Sequence, residues 1–216
     1  MSLSLRVRLR FRLLLAATIC LLCILMWNPE SQHLLFIGVL LLVLAGTNTL
    51  PKQHRMHLPV LLMGCITLAL NGLALIGVMP YHVGNLSMGA LYAVLFFALI
   101  HRLTRERPVT GELLYGLIAI YLQIALMFAI LYELIEKLSP GAFNAASGIA
   151  VLDMGDFAYF SLITLTTVGY GDIYPLHPLA RLMVSFEAVT GVLFIGLAMA
   201  RSLMLISEDD DQELPR

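Results

Sequence analysis

The sequence predicts an all-α membrane protein: six transmembrane helices, with a re-entrant helix and an irregular loop between the fifth and sixth. Three observations carry this. Of 216 residues, 60% are hydrophobic and 12% are charged, whereas a water-solvated globular chain carries about 25% charged residues. Six apolar stretches, at about 11–27, 34–50, 58–79, 86–101, 112–135 and 179–204, approach the ~20 residues that a helix needs to cross a bilayer core. The basic residues, finally, collect in alternate connecting segments.

The first stretch follows Arg6, Arg8, Arg10 and Arg12. Arginines ahead of an apolar run also begin secretory leaders. Here the run leads straight into Trp27, Asn28 and Pro29 with no small-residue cleavage site, so it is expected to stay as a span. Lys52 and Arg55 separate the second and third stretches, and Arg102, Arg105 and Arg107 follow the fourth. A shorter apolar stretch at about 156–167 is too brief to cross and is expected to dip into the membrane and return. Asp156 is its expected N-cap, opening a helix over about 157–167. With the N-terminus inside, eleven of the thirteen basic residues fall on the inner side, and only Lys137 and Arg181 fall outside. Positive charge concentrates in cytoplasmic loops, so both termini are expected in the cytoplasm. The chain divides into a four-span region (1–105), a pore region (106–206) and an acidic cytoplasmic tail (207–216). The tail is too short to bury a core and is expected to be disordered.

Several function classes drop out. A net charge of -1 and the lack of a basic cluster give no footprint for nucleic acid. Cys20, Cys23 and Cys65 lie inside apolar runs, where they serve as small hydrophobes rather than as disulfide, redox or zinc sites. No nucleophile–base pair, metal-ligand cluster or phosphate-binding loop is visible, so no enzyme and no cofactor is expected.

The chemistry concentrates in Thr167-Val168-Gly169-Tyr170-Gly171 and the residues before it. A cation crossing a membrane must exchange its hydration shell for protein oxygens at small net cost. A ring of carboxylates would hold it too strongly, whereas backbone carbonyls are neutral and stack in layers. Turning successive carbonyls toward one axis requires backbone conformations that glycine tolerates, and Gly169 and Gly171 supply them. Val168 and Tyr170 would then pack behind the loop, and the Thr167 hydroxyl would add an inner oxygen layer. The negative end of the short helix would point inward and favour a cation.

This pentapeptide is the known signature of potassium filters. Residues from about 112 to 204 resemble the outer helix, pore helix, filter and inner helix of potassium channels, and Thr166-Thr-Val-Gly-Tyr-Gly-Asp-Ile-Tyr-Pro175 is similar to prokaryotic members. The resemblance implies a homotetramer in the plasma (inner) membrane, conducting K+ passively, with the carbonyls of Thr167, Val168, Gly169 and Tyr170 as ion ligands. It also implies a hinge glycine in the inner helix, for which Gly191 lies at the matching distance; Gly196 is a second candidate. Three residues depart from the family. Ile163 stands where some prokaryotic channels carry glutamate, and Tyr159 and Phe160 stand near a usual tryptophan. Asp172 therefore needs another partner, and Tyr159 is the candidate donor.

Glu187 is a carboxylate eight residues into the sixth stretch. Intramembrane charge is costly and points to function. It is expected either to hydrogen-bond pore-helix groups such as Ser161 or Thr164, bracing the filter, or to face the ion path. The interior of the fourth stretch, Met88 to Ile100, contains no basic residue, so steep voltage gating is not expected. His177, near Asp172 and Arg181, is a candidate proton sensor. Asn71 and Gln123 are expected to bond between helices. Asn85-Leu-Ser87 has the form of a glycosylation acceptor but hugs the membrane. Two other readings remain: a pore subunit of a potassium transporter, and a non-conducting regulatory membrane subunit.

Overall fold

A computed structural model of the chain describes residues 2–28, 31–50, 55–105, 112–146 and 151–213. Seven helices follow in order: α1 (Ser2–Trp27), α2 (Gln32–Thr49), α3 (His57–Leu75), α4 (Tyr81–Arg105), α5 (Glu112–Leu138), α6 (Met154–Leu165) and α7 (Pro178–Glu213). Six of them are long and apolar enough to cross a membrane, and α6, at 12 residues, is not. The protein is an all-α membrane protein with six candidate spans. Lys52, Arg107 and Arg216 lie outside the described residues, as do the side chains of Arg6, Arg8, Arg102 and Arg105.

The helix ends follow local chemistry. Leu50 is extended (φ -92°, ψ 127°) because Pro51 follows it, and a residue before proline avoids the helical region. The third span ends at Leu75 rather than at 79, since Gly77 takes φ 74° and turns the chain out. Pro178 opens α7 at a position where its missing N–H costs nothing. That helix does not stop near 204: it runs through the acidic segment to Glu213, so the expected disorder from 207 is replaced by helix over the described part. Two three-residue strands were not expected. β1 (Phe143–Ala145) pairs antiparallel with β2 (Ile173–Pro175), with Asn144 opposite Tyr174, and ties the approach to α6 to the exit from the loop after it.

Helices α1 to α5 pack in sequence order, and α1 closes the set by packing on α5 and on α6. Leu14, Leu21, Leu42, Leu95, Leu99 and Ile120 are fully buried between them. The Arg12 guanidinium lies 4.8 Å from the Tyr115 ring centroid, joining α1 to α5. Gln123 on α5 donates to the Thr18 hydroxyl of α1 at 3.4 Å, and Asn71 on α3 donates to the Gly84 carbonyl of α4 at 3.4 Å. Both are the interhelical bonds the sequence suggested. Cys20, Cys23 and Cys65 all face outward. Helix α7 differs from the rest: it packs only on α5, α6 and β2 among the larger contacts, and most of its apolar surface is open.

Candidate functional site

Helix α6 begins one turn earlier than expected. Its N-cap is Asp153, whose Oδ1 accepts from the Asp156 N–H at 2.9 Å, while Asp156 Oδ2 accepts from the Asp153 N–H at 3.0 Å. Asp156 is thus the third helical residue of a reciprocal capping box, not the cap. The two carboxylates satisfy two otherwise free amides and sit at the positive end of the helix. Burial raises the Asp156 carboxyl above its ordinary value, the Asp153 N–H opposes that, and the Asp153 charge adds to it. Gly155 is required here because a Cβ would stand 2.6 Å from the Leu25 carbonyl oxygen at the end of α1.

The C-terminal end of α6 runs directly into the loop. The Thr167 N–H donates to Thr164 O at 3.0 Å, and the Val168 and Gly169 amides both donate to Ile163 O, at 2.8 and 3.1 Å. From there the backbone alternates: φ is 62° at Thr167, 50° at Gly169 and 78° at Gly171. Gly169 and Gly171 adopt the left-handed region as expected. Thr167 joins them, at a cost of about 1 kcal/mol for a residue with a side chain. No atom of the described residues lies within 4 Å of where a Cβ would stand at Gly169 or Gly171, so within one chain it is conformation that selects glycine.

Beyond the loop, Asp172 is anchored on each side. Its Oδ2 accepts from the Tyr159 hydroxyl at 2.7 Å and its Oδ1 from the Ile173 N–H at 3.0 Å. Its carbonyl accepts from the Ala146 N–H at 2.7 Å. The Tyr159 partner named from the sequence is in place, and the bond to Asp172 is the main reason its phenol is pushed up to about 12. Val168 and Tyr170, in contrast, are 51% and 73% exposed. Among the described residues of one chain these two side chains are not enclosed.

Glu187 is fully buried, although it sits on the least buried span. Its Oε2 accepts from the Tyr132 hydroxyl of α5, and its Oε1 contacts the Ser161 hydroxyl of α6. Ser161 Oγ also lies 2.7 Å from the Ala125 carbonyl oxygen. Of the two expected partners Ser161 is engaged, and no bond to Thr164 is found among the described residues. Gly191, one turn further along α7, is buried, and a Cβ there would stand 2.2 Å from the Leu165 carbonyl oxygen. That same oxygen accepts from the Tyr121 hydroxyl at 2.8 Å. Gly196 has nothing within 4 Å. His177 is exposed, and its Nδ1 accepts from the Leu179 N–H at 3.2 Å. Arg181 donates to Pro175 O at 3.3 Å, so the structure does not join these two side chains to Asp172. Asn85 is helical and donates to Glu133 Oε2 at 2.9 Å.

Sequence reasoning passed over Tyr121, Tyr132 and Glu136. The first two lie eleven residues apart, three turns along one face of α5, and a buried phenol needs a partner. That spacing was a usable signal. Glu136 accepts from the Gly141 and Phe143 amides at 2.7 and 3.0 Å and shapes the turn out of α5. Nothing in its spacing announced this.

Comparison with known proteins covers the half of the chain that holds this site. Residues 117–208 match the ion channel family. Over 106 residues, or 47% of the chain, it is 38% identical to the inward rectifier potassium channel Kirbac3.1 of Paramagnetospirillum magnetotacticum, covering 30% of that protein. It is 44% identical over 46 residues, 21% of the chain, to potassium channel K1 of Plasmodium berghei (strain Anka), covering 2% of it. It is 31% identical over 70 residues, 32% of the chain, to two-pore potassium channel 1 of Arabidopsis thaliana, covering 19% of it. The chain therefore spans less than a third of the length of each of these relatives. No solved structure matches it.

Proposed function

We propose that this chain, whose residues 117–208 match the ion channel family and whose similar proteins include potassium channels, is itself a potassium channel chain: one subunit of a homotetramer that conducts K+ passively and selectively. The observation that carries the reading is the positive φ at every second residue from Thr167 to Gly171. In an ordinary extended strand successive carbonyls point to opposite sides. Moving alternate residues into the left-handed region turns them to one side. The carbonyls of Thr167, Val168, Gly169 and Tyr170, with the Thr167 hydroxyl, then form oxygen layers that replace the hydration shell of a dehydrated cation. Helix α6 re-enters the membrane from the outer face and aims its negative end at the ion path.

A single chain supplies a quarter of such a ring. The exposure of Val168 and Tyr170, and the open face of α7 at Leu182, Phe186, Val189 and Leu193, fit burial against further copies around a shared axis. Irregular backbone at membrane depth is tolerated only where protein encloses it or it lines water, and a four-copy ring meets both conditions. Asp172 and Tyr159 hold the outer end of the filter, and Glu187 supports it from behind. Gly196, with open space around it, is the freer bending point of α7; Gly191 is held against α6. The termini lie in the cytoplasm of a plasma-membrane channel. Moving one charge across 100 mV is worth about 2.3 kcal/mol, and Val83–His101 contains no arginine or lysine to use it, so gating is not steeply voltage-dependent.

The test is flux from liposomes holding only the purified chain. Potassium efflux well above sodium efflux, blocked by barium, is the expected result. Equal passage of sodium, or passage of neither ion, overturns the proposal, and slow saturating flux favours a transporter subunit instead.

A further inference from the structure

The buried seam of α7 is narrow. Ala180, Glu187 and Gly191 are buried and Val184 and Phe194 are half-buried, at alternating spacings of three and four that keep them on one face. Glu187 is the carboxylate on that seam. Among the described residues its partners are two hydroxyls, Tyr132 and Ser161, and no basic side chain is among them.

Tyr132 uses its one hydroxyl hydrogen on Glu187 Oε2. Ser161 also has one hydroxyl hydrogen, yet its oxygen meets two acceptors, the Ala125 carbonyl and Glu187 Oε1. Were Glu187 a carboxylate, one of those two contacts would be a pair of oxygens with no hydrogen between them. A hydrogen on Oε1 resolves it. Tyr132 then donates to Glu187, Glu187 to Ser161, and Ser161 to Ala125, each hydrogen being used once. An unpaired carboxylate with no exposure carries a large desolvation cost, which the acid form avoids.

We propose that Glu187 acts as a neutral, hydrogen-bonding acid that ties α7 to α5 and α6, and that Tyr132, Glu187 and Ser161 form a positioning unit for the filter. The proposal rests on the reading of Thr167–Gly171 as a potassium filter. A second contact lies one turn away on all three helices: Tyr121 relative to Ala125, Leu165 relative to Ser161, and Gly191 relative to Glu187. The last turn of α6 is therefore gripped at two levels immediately before Thr166, and a shift there moves the first filter carbonyls.

Four single variants and one double variant in the liposome flux assay test it, alongside infrared spectroscopy. In Glu187→Gln the side-chain amide N–H takes the place of the acid O–H, so the potassium-to-sodium ratio stays within about twofold of wild type, whereas Glu187→Leu, similar in size but unable to bond, lowers it about tenfold. Ser161→Ala lowers the ratio as well. Tyr132→Phe lowers it in the wild-type background and adds little on top of Glu187→Leu. Wild-type protein shows a carboxylic-acid C=O stretch at neutral pH that is missing from Glu187→Gln, a signature that a merely structural role does not require. Should Glu187→Leu fail to assemble, Ser161→Ala, Tyr132→Phe and the infrared band decide. The proposal is overturned if Glu187→Gln is as damaging as Glu187→Leu, if the band is unchanged in Glu187→Gln, or if Ser161→Ala and Glu187→Leu both keep wild-type selectivity. Wild-type vesicles that do not select potassium would instead overturn the functional reading, and the infrared result would still judge the acid.

Discussion

Replacing Gly191 by alanine isolates the contact between α7 and the end of α6. The added Cβ would stand 2.2 Å from the Leu165 carbonyl oxygen and 3.0 Å from its carbonyl carbon. Ordinary contact begins near 3.4 Å, so backbone must move by about 1 Å, and overpacking of this kind costs about 1–3 kcal/mol. Alanine recovers up to about 1 kcal/mol as a better helix former than glycine. The net effect is a destabilisation of about 1–2 kcal/mol, concentrated where the Tyr121 hydroxyl reaches the same oxygen. Gly196→Ala provides the control. It gains the same helix preference and meets nothing within 4 Å. The measurements are the midpoint of thermal unfolding in detergent and the potassium-to-sodium flux ratio in vesicles. Gly191→Ala is expected to lower both, and Gly196→Ala to leave the midpoint equal or higher. Indistinguishable midpoints for the two variants would refute the reasoning, because only one of them has a backbone atom in its way.

Tyr121→Phe removes the phenol that reaches Leu165 O and is expected to cost about 0.5–1.5 kcal/mol; combined with Gly191→Ala the loss should be less than additive, since both act on one oxygen, as a double-mutant cycle will read. Gly169→Ala or Gly171→Ala should cost about 1–2 kcal/mol of backbone strain each and abolish potassium flux while leaving helix content by circular dichroism unchanged. Tyr159→Phe leaves Asp172 Oδ2 without its 2.7 Å donor and should shorten the open time of single channels, with unchanged open times counting against the anchor. Asp156 gives a pH prediction. Its carboxyl is raised in the folded chain, chiefly by burial, so the stability it contributes is lost as pH rises through its folded value. Asp156→Asn has no such loss, and its unfolding midpoint should gain on wild type as pH rises above the ordinary aspartate range; a gap that narrows as pH rises would contradict the assignment.

The spans were legible because the bilayer imposes a length, and a count of apolar residues reads it directly. Their ends were less so. The turn at Gly77 and the start of α6 at Asp153 depend on single-residue conformations, and an apolar count blurs those by several positions. The strands β1 and β2 left no trace, since three residues are too few for an alternating pattern to emerge. In the loop, glycine marked two of the left-handed positions. Thr167 stayed hidden because nothing in a threonine announces positive φ. Glu187 stood out as a lone carboxylate in an apolar run, with Ser161 or Thr164 as expected partners or a place facing the ion path; only the packing of three helices selects Ser161. Tyr132 did not stand out, because its role depends on which face of α5 meets α7. Gly191 was expected to be a bend because the resemblance to potassium channels implies a hinge glycine at its distance from Asp172; its close approach to Leu165 exists only once the helices are packed.

The closing of α1 onto α5 and α6 bears on how much of this polypeptide can be trimmed away. Phe11, Leu14 and Leu21 are buried in the shared core, and the end of α1 presses its Leu25 carbonyl against Gly155 at the start of α6. A shortened gene product starting at the fifth helix would expose a stripe of α5 and leave α6 without the helix end it leans on. The leading helix is thus a keystone of the packing that holds α6 and the loop after it, and an engineer seeking a minimal two-span version would have to repaint that stripe for lipid before testing the proposed ion passage.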